Sequence, residues 1–188
     1  MDLHLNTVMR FLCLLVFVSV SYSLPVRPKH FSKTESHRDM PAHLLARSRR
    51  NLHAVSTRKT VILQTKSLWI FEIRLDGSVG GTTNINNPNV KLQLQSVGQS
   101  LVRFFGIRAR KYLAMDKNGN LYTTAKATSE TVFRNILGST DYHTFSSANN
   151  NHKGRPMYLG LRENGKPKKG SKTRGSHRSA QFQVLAVI

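Results

Sequence analysis

The decapeptide YLAMDKNGNL, residues 112–121, joins an apolar strand pattern to an Asn-Gly turn, and its layout occurs three times in the chain. The other copies are IFEIRLDGSV at residues 70–79 and YLGLRENGKP at residues 158–167. The turn glycines are Gly77, Gly119 and Gly165, and successive glycines lie 42 and 46 residues apart. Asp-Gly and Asn-Gly pairs favour the positive backbone angles of tight hairpin turns. Each copy therefore predicts a β-hairpin.

A fainter echo follows each turn: VKLQLQ around Leu92, TVFRNI around Phe133 and AQFQVL around Phe182. Three units of forty-odd residues, each with several strands, imply a closed threefold assembly, because one unit cannot bury its own apolar face. Propeller blades have a similar period, but even small propellers need about four of them. The sequence therefore predicts an all-β domain over residues 60–188, with the pseudo-threefold repeat of a β-trefoil.

The repeat also predicts which side chains meet in the core. One set of equivalent core positions is Phe71, Leu113 and Leu159, and the next is Ile73, Met115 and Leu161. The third unit has Pro167 where the others have Val79 and Leu121. Proline cannot donate a ladder hydrogen bond, so the third return strand should begin irregularly.

The segment before this domain has two candidate processing sites. Residues 1–23 have the layout of a signal peptide that is cut after Ser23. An uncleaved anchor is the alternative, but about a dozen apolar residues are present, and a spanning helix needs roughly 20. Residues 24–59 are predicted to form a flexible basic extension. Its RSRR segment, ending at Arg50, has the spacing that proprotein convertases cut, although such tetrapeptides also arise by chance.

The charge of the chain restricts its partners. Lys and Arg number 29 against 9 Asp and Glu, a formal net charge of +20, which favours nucleic acid, anionic membrane or sulfated glycan. A secreted, extracellular location favours the glycan over nucleic acid. Membrane insertion is not expected, because no second apolar segment or amphipathic helix is present. The only cysteine, Cys13, lies in the predicted signal, so a disulfide scaffold is excluded.

Enzymatic activity is not expected from this sequence. It contains no Gly-rich phosphate loop, no His-x-x-x-His pair and no nucleophile elbow. No carboxylate pair suited to glycoside hydrolysis is evident, and the eight histidines have no metal-ligand spacing. We therefore predict a binding protein without catalytic residues, metal or cofactor.

The stretch RENGKPKKGSKTRGSHR, residues 162–178, carries seven Lys and Arg and one acidic residue. Charge runs are often solvated tails. This one lies between two repeat-matched strands, which favours a folded loop. Its glycines and hydroxyl residues would leave backbone N–H groups free to bind anions.

Several segments together resemble the fibroblast growth factor family: DGSVGG, NPNVKLQLQS, KYLAMDKNGNLY, DYHTF, MYLGLRENGKPKKGSKT and AQFQVL. The match runs from about Val61 to Leu185, with a short insertion around ANNNHKGR before Met157. The resemblance implies a secreted β-trefoil ligand for a receptor tyrosine kinase ectodomain, with heparan sulfate as co-ligand. Such a ligand would be monomeric when free and paired on receptor and glycan.

The resemblance also implies a glycan site on the basic loop and near the first strand. The positions that carry over are Lys66, Arg162, Asn164, Lys168, Lys172, His177, Arg178 and Ser179, and Arg174 adds charge at the rim. Glu163 stands where family members often have a base. Cations on one loop would displace counterions from a sulfated chain, which makes binding sensitive to salt.

The receptor surface of the family carries over at fewer positions, namely Tyr142, Leu137 and Leu185. Leu63, Asn135 and Thr140 replace a tyrosine, a glutamate and an asparagine. Without the resemblance, Tyr142 would be read as a half-buried sheet tyrosine. The departures leave an alternative open: a glycan-binding trefoil that acts in matrix retention or adhesion without receptor signalling.

Overall fold

The computed structural model describes residues 54–138 and 140–187. The strands are β1 (Thr57–Thr65), β2 (Ile70–Ile73), β3 (Val79–Thr82), β4 (Leu92–Gly98), β5 (Leu101–Gly106), β6 (Lys111–Met115), β7 (Leu121–Thr124), β8 (Phe133–Leu137), β9 (His143–His152), β10 (Arg155–Tyr158) and β11 (Phe182–Ala186). Four short 3-10 helices span Pro88–Val90, Ser129–Thr131, Gly170–Lys172 and Arg178–Ala180. The described residues contain no α-helix, and none of their helices is long and apolar enough to cross a membrane.

The start of the domain differs slightly from the predicted boundary. Strand β1 begins at Thr57, three residues before residue 60. The predicted signal peptide, the cut after Ser23 and the cut after Arg50 lie outside the described residues.

Six strands pair antiparallel in a closed ring, which is the barrel of the fold. Going round, β1 pairs with β4, β4 with β5, β5 with β8, β8 with β9, β9 with β11, and β11 with β1. The hairpins β2–β3 and β6–β7 lie outside this ring. Each of the strands β4, β8 and β11 follows a 3-10 turn. This arrangement confirms the all-β, pseudo-threefold β-trefoil prediction.

The three predicted turns have the same backbone hydrogen bonds. The N–H groups of Gly77, Gly119 and Gly165 donate to the carbonyls three residues before them, over 2.9, 3.0 and 3.0 Å. All three glycines have positive φ angles, of 90°, 85° and 72°. Residues with a Cβ are disfavoured there, which explains why glycine recurs at each turn.

The core contains the side chains that the repeat predicted. Phe71, Leu113, Leu159, Ile73 and Met115 are fully buried and Leu161 is 2% exposed. The first residues of β4, β8 and β11, which are Leu92, Phe133 and Phe182, are also fully buried. At typical values of roughly 1.5–3 kcal/mol for each large apolar side chain, this burial is the main stabilising term for a domain without disulfides.

The third repeat is irregular where Pro167 was expected to disturb it. Its return strand is reduced to a single bridge between Leu161 and Pro167. The chain then leaves the sheet through Lys168, whose N–H donates to the carbonyl of Gly160 over 2.9 Å. Residues 168–178 form the basic loop, and β11 begins after it at Phe182.

Candidate functional site

The basic loop is folded and held against the rest of the domain. The Gly170 N–H donates to the carbonyl of Gly119 in the second hairpin turn over 2.7 Å. A Cβ on Gly170 would lie 2.7 Å from the sulfur of Met115, so the backbone sits directly on the core. Thr173 is 4% exposed, and its hydroxyl donates to the carbonyl of Lys169 over 2.9 Å. The loop therefore presents its cations on a fixed backbone, as expected for a loop rather than a tail.

Six of the predicted glycan residues line one cleft, of about 900 Å³. They are Arg162, Asn164, Lys168, His177, Arg178 and Ser179. Ser67, Trp69, Leu161 and Glu163 complete the lining. Three of the ten residues are Lys or Arg and one is acidic, so the cleft is predominantly cationic.

Lys168 is the centre of a small polar network in this cleft. Its ammonium group donates to His177 Nδ1 over 3.2 Å and lies 3.5 Å from the hydroxyl oxygen of Ser179. The backbone N–H of Arg174 also donates to His177 Nδ1, over 3.2 Å. Desolvation, followed by the positive charges of Lys168 and Arg174, lowers the pKa of His177 below its ordinary value. The imidazole therefore acts as an acceptor that orients two donors.

Trp69 forms one wall of the cleft as well as part of the domain's packing. It is partly buried against the main core, and its indole N–H donates to the carbonyl of Glu163 over 3.1 Å. The ring also lies against Gly165, where an added Cβ would be 2.7 Å from Cζ3. Trp69 therefore packs against the core and also lines the cleft.

Lys66 is close to the cleft through its backbone, but its side chain points elsewhere. The Arg178 guanidinium donates to the Lys66 carbonyl over 3.4 Å. The ammonium group of Lys66 lies over the ring of Tyr142, 5.0 Å from its centroid. Lys66 thus connects the cleft to the β8–β9 turn.

Lys172 and Arg174 do not line the cleft with the other predicted glycan residues. They line a separate groove together with His152, Lys153 and Arg155. The sequence interpretation missed these last three residues. The signal available for them was the insertion around ANNNHKGR, which contains a histidine, a lysine and an arginine within four residues.

The predicted receptor residues lie in two places. Leu137 ends β8 and is 58% exposed, and Tyr142 is half-buried in the turn that follows. The Gly138 N–H donates to the Tyr142 carbonyl over 2.9 Å, which closes this turn. Leu185 lies on β11 opposite Ile62 and packs beside a small buried cluster. Only Leu137 and Tyr142 therefore share one surface element.

Two of the departures from the family pattern have structural explanations. Leu63 is fully buried in the core, so it offers no side-chain surface to a partner. Asn135 Oδ1 lies 2.8 Å from Nδ1 of His143 on the neighbouring strand. Because an amide oxygen only accepts, Nδ1 of His143 carries the proton in this hydrogen bond. Burial lowers the pKa of His143. Thr140 is exposed, and nothing in the structure explains its exchange.

The part of the chain that the structure describes contains no candidate metal site. No three His, Cys, Asp or Glu side chains among those residues are grouped so that they could hold a metal ion.

Comparisons with known proteins place the described domain in a family. A sequence profile described as "Fibroblast growth factor" matches residues 58–183. Fibroblast growth factor 7 of Canis lupus familiaris is 29% identical over 122 residues, which cover 65% of this chain and 63% of that protein. Fibroblast growth factor 10 of Homo sapiens is 34% identical over 119 residues, which cover 63% of this chain and 57% of that protein. The matched region spans less than two thirds of the length of these relatives.

Proposed function

The chain belongs to the fibroblast growth factor family, and we propose that it is a secreted growth factor that binds heparan sulfate and a receptor tyrosine kinase of the fibroblast growth factor receptor class. Members of this family are signalling ligands and not enzymes, so this protein supplies binding energy and no chemistry. Heparan sulfate is its co-ligand. The protein is a monomer when free and is paired on receptor and glycan, where it promotes receptor dimerisation and signalling.

The cleft beside the basic loop is the observation that carries the glycan part of this proposal. Arg162, Lys168 and Arg178 converge on it, and the loop backbone is already fixed before any ligand binds. A guanidinium can bind a sulfate or carboxylate through two parallel hydrogen bonds, whereas an ammonium acts as a point charge. Prior ordering reduces the entropy lost on binding. The cleft therefore favours a sulfated polysaccharide over a small neutral ligand.

The β8–β9 turn supports the receptor part of the proposal. Exposed Leu137 and half-buried Tyr142 place apolar surface and an aromatic ring on one turn. Tyrosine and other aromatic side chains are enriched where protein interfaces concentrate their binding energy. The contact of Lys66 with the Tyr142 ring supports a glycan surface that lies next to the receptor surface.

A heparin-elution experiment tests the glycan cleft. The cleft variant carries Lys168→Gln and Arg178→Gln, and the control variant carries Lys91→Gln and Lys117→Gln, two exposed lysines that line neither cleft nor groove. Both variants lose two positive charges. The cleft variant should elute from immobilised heparin at a distinctly lower salt concentration than the control variant. Equal elution would mean that diffuse charge, and not the cleft, binds the glycan.

A second candidate function is a glycan-binding trefoil that acts in matrix retention or adhesion without receptor signalling. It is favoured by Asn135, which has no charge to offer a receptor arginine and whose amide oxygen is engaged by His143. Both candidates predict salt-sensitive heparin binding. Phosphorylation of a receptor in cells given the purified protein separates them, because only the growth factor would cause it.

A further inference from the structure

A second cationic groove lies beside the middle of the basic loop. It has a volume of about 680 Å³ and shares no lining residue with the cleft. One wall is the β9–β10 hairpin and the other is the loop segment 171–175. Its cationic side chains are Lys153, Arg155, Lys172 and Arg174, and His152 lies with them. No acidic side chain lines it among the residues that the structure describes.

The hairpin wall has a defined shape. Its turn residues Lys153 and Gly154 have φ angles of 51° and 75°. Positive φ at both positions is the mark of the type I′ turn, whose twist matches that of paired strands. Arg155 pairs with His152 across the hairpin. The three basic side chains of the insertion are therefore displayed on an ordered tip.

The loop wall comes close to the hairpin because it contains a glycine at the contact. A Cβ on Gly175 would lie 3.1 Å from Cε1 and 3.2 Å from Cζ of Tyr158, at the base of the hairpin. The neighbouring residue Thr173 is buried and holds the loop through its hydrogen bond to Lys169. Lys172 and Arg174, on either side of Thr173, are exposed. Both walls are thus fixed, with cations on each.

We propose that this groove is a second subsite for sulfated glycan, separate from the cleft. The ligand class rests on the proposed function, since the same loop supplies cations to both sites. Four Lys and Arg without an acidic neighbour suit repeated sulfate and carboxylate groups, which are spaced along a polysaccharide. Among the described residues, Pro156 and Tyr158 are the only proline or aromatic side chains that line the groove, and no aliphatic side chain lines it, whereas a protein partner would need an apolar anchor. A chain bound to both flanks of the loop would make more ionic contacts than the cleft alone allows.

The groove variant for testing this carries Lys153→Asn and Arg155→Gln. Asparagine tolerates the left-handed conformation of residue 153 and precedes Gly154, so the turn keeps a favoured Asn-Gly pair. The companion variant, Lys172→Gln with Arg174→Gln, removes two charges from the opposite wall. The cleft and control variants defined above also lose two charges each. All are made in the full chain and purified after secretion.

The measurement is the affinity for long-chain heparin at several salt concentrations. If two ionic contacts are lost, the slope of log affinity against log salt should become shallower by about 1.4–1.8. Raising the salt from 50 to 200 mM should reduce the heparin affinity of both proteins. On the same basis, the fold-reduction for the groove variant should be roughly ten times smaller than for the unmodified protein. The companion variant should show the same change in slope as the groove variant. The control variant should keep the original slope.

Fluorescence of Trp69, the only tryptophan of the sequence, reports on the cleft alone. In the groove variant, heparin should still change this fluorescence, which shows that the cleft is filled while the groove contacts are lost. A groove variant whose salt slope equals that of the control variant overturns the inference. So does a groove variant with normal heparin binding and weakened receptor phosphorylation, which would assign the groove to a protein partner. A cleft variant that behaves like the control contradicts the proposed glycan cleft instead, so the two failures are distinguishable.

Discussion

The ammonium group of Lys66 lies 5.0 Å from the centroid of the Tyr142 ring, in the range of a cation–π contact. The first residue was predicted to bind glycan and the second to bind receptor. If both predictions hold, the glycan and receptor surfaces are adjacent at these two side chains. A sulfate group that attracts Lys66 would therefore also change the surroundings of Tyr142.

Replacing Lys66 should affect both binding partners. Lys66→Gln removes one cation near the cleft, and it also removes the charge that orients the Tyr142 ring. A cation–π contact at an exposed site contributes about 0.5–1 kcal/mol, so receptor affinity without heparin should fall about two- to fivefold. Lys59→Gln, on the exposed part of β1, is the matched control. Receptor affinity that is measured without heparin and does not change in Lys66→Gln would mean that the contact has no role in receptor binding.

Heparin affinity should increase as the pH falls, because of His177. Its pKa in the free protein is held below the ordinary value of 6.5 by desolvation and then by Lys168 and Arg174. A bound sulfate would oppose these effects and raise that pKa, so binding takes up a proton. The affinity for heparin should rise as the pH falls from about 7 through the pKa of His177, and the rise should be smaller in His177→Gln. An identical pH profile for the two proteins would exclude His177 as the responsible group.

Stability without glycan should change in the opposite direction with pH. Because the folded-state pKa of His177 is below the unfolded value of 6.5, the unfolded chain binds the proton more tightly. The contribution of this residue is therefore neutral above pH 6.5 and becomes unfavourable as the pH falls through the folded-state pKa. Unfolding measured between pH 7 and pH 5 in the protein and in His177→Gln checks the sign.

Removing the acidic charge from the cleft should strengthen glycan binding. Glu163 is exposed and lines the cleft, where its carboxylate repels sulfate groups. Glu163→Gln should raise heparin affinity about two- to fivefold, the size expected for one exposed charge interaction of up to about 1 kcal/mol. Asp141→Asn removes an exposed acid outside the cleft and tolerates the φ angle of 58° at that position. Equal gains from the two variants would argue for a general charge effect.

Two glycines with the same backbone geometry should differ in their tolerance to alanine. Gly165 and Gly154 have φ angles of 72° and 75°, so either substitution costs about 1–2 kcal/mol in the backbone. At Gly165 the new Cβ would also lie 2.7 Å from Trp69 and 3.0 Å from the Gly81 carbonyl, whereas at Gly154 it meets nothing within 4 Å. Overpacking should add about 1–3 kcal/mol to the loss for Gly165→Ala. Denaturant unfolding would contradict this packing if both variants lost the same stability.

The fold was predictable because its signals are local and repeated. The three Asp-Gly or Asn-Gly turns need positive φ, and equivalent core residues precede each turn at the same spacing, so sequence spacing alone located the hairpins. Alternation was uninformative in β1, where Val61, Ile62 and Leu63 are all buried. Val61 and Leu63 face the main core and Ile62 faces a smaller cluster. With apolar environments on both faces, the pattern could not show that Leu63 has no exposed surface.

The division of the basic residues between two sites was not predictable from the sequence. Lys168 and Lys172 are four residues apart, yet the 3-10 turn at Gly170–Lys172 directs them to different surfaces. The partners of Lys172 come from the hairpin tip at Lys153 and Arg155, far away in the sequence. Only the fold, through the contact between Gly175 and Tyr158, brings these side chains into one groove.

The decisive measurement for the proposed growth-factor function is receptor phosphorylation. Cells that each express one fibroblast growth factor receptor would receive the purified protein with and without heparin, and the cleft variant would be tested in parallel. We expect phosphorylation of at least one receptor that increases with heparin, and a weaker response to the cleft variant. No phosphorylation of any receptor, by a protein that still binds heparin, would contradict the growth-factor assignment and support the matrix-retention alternative.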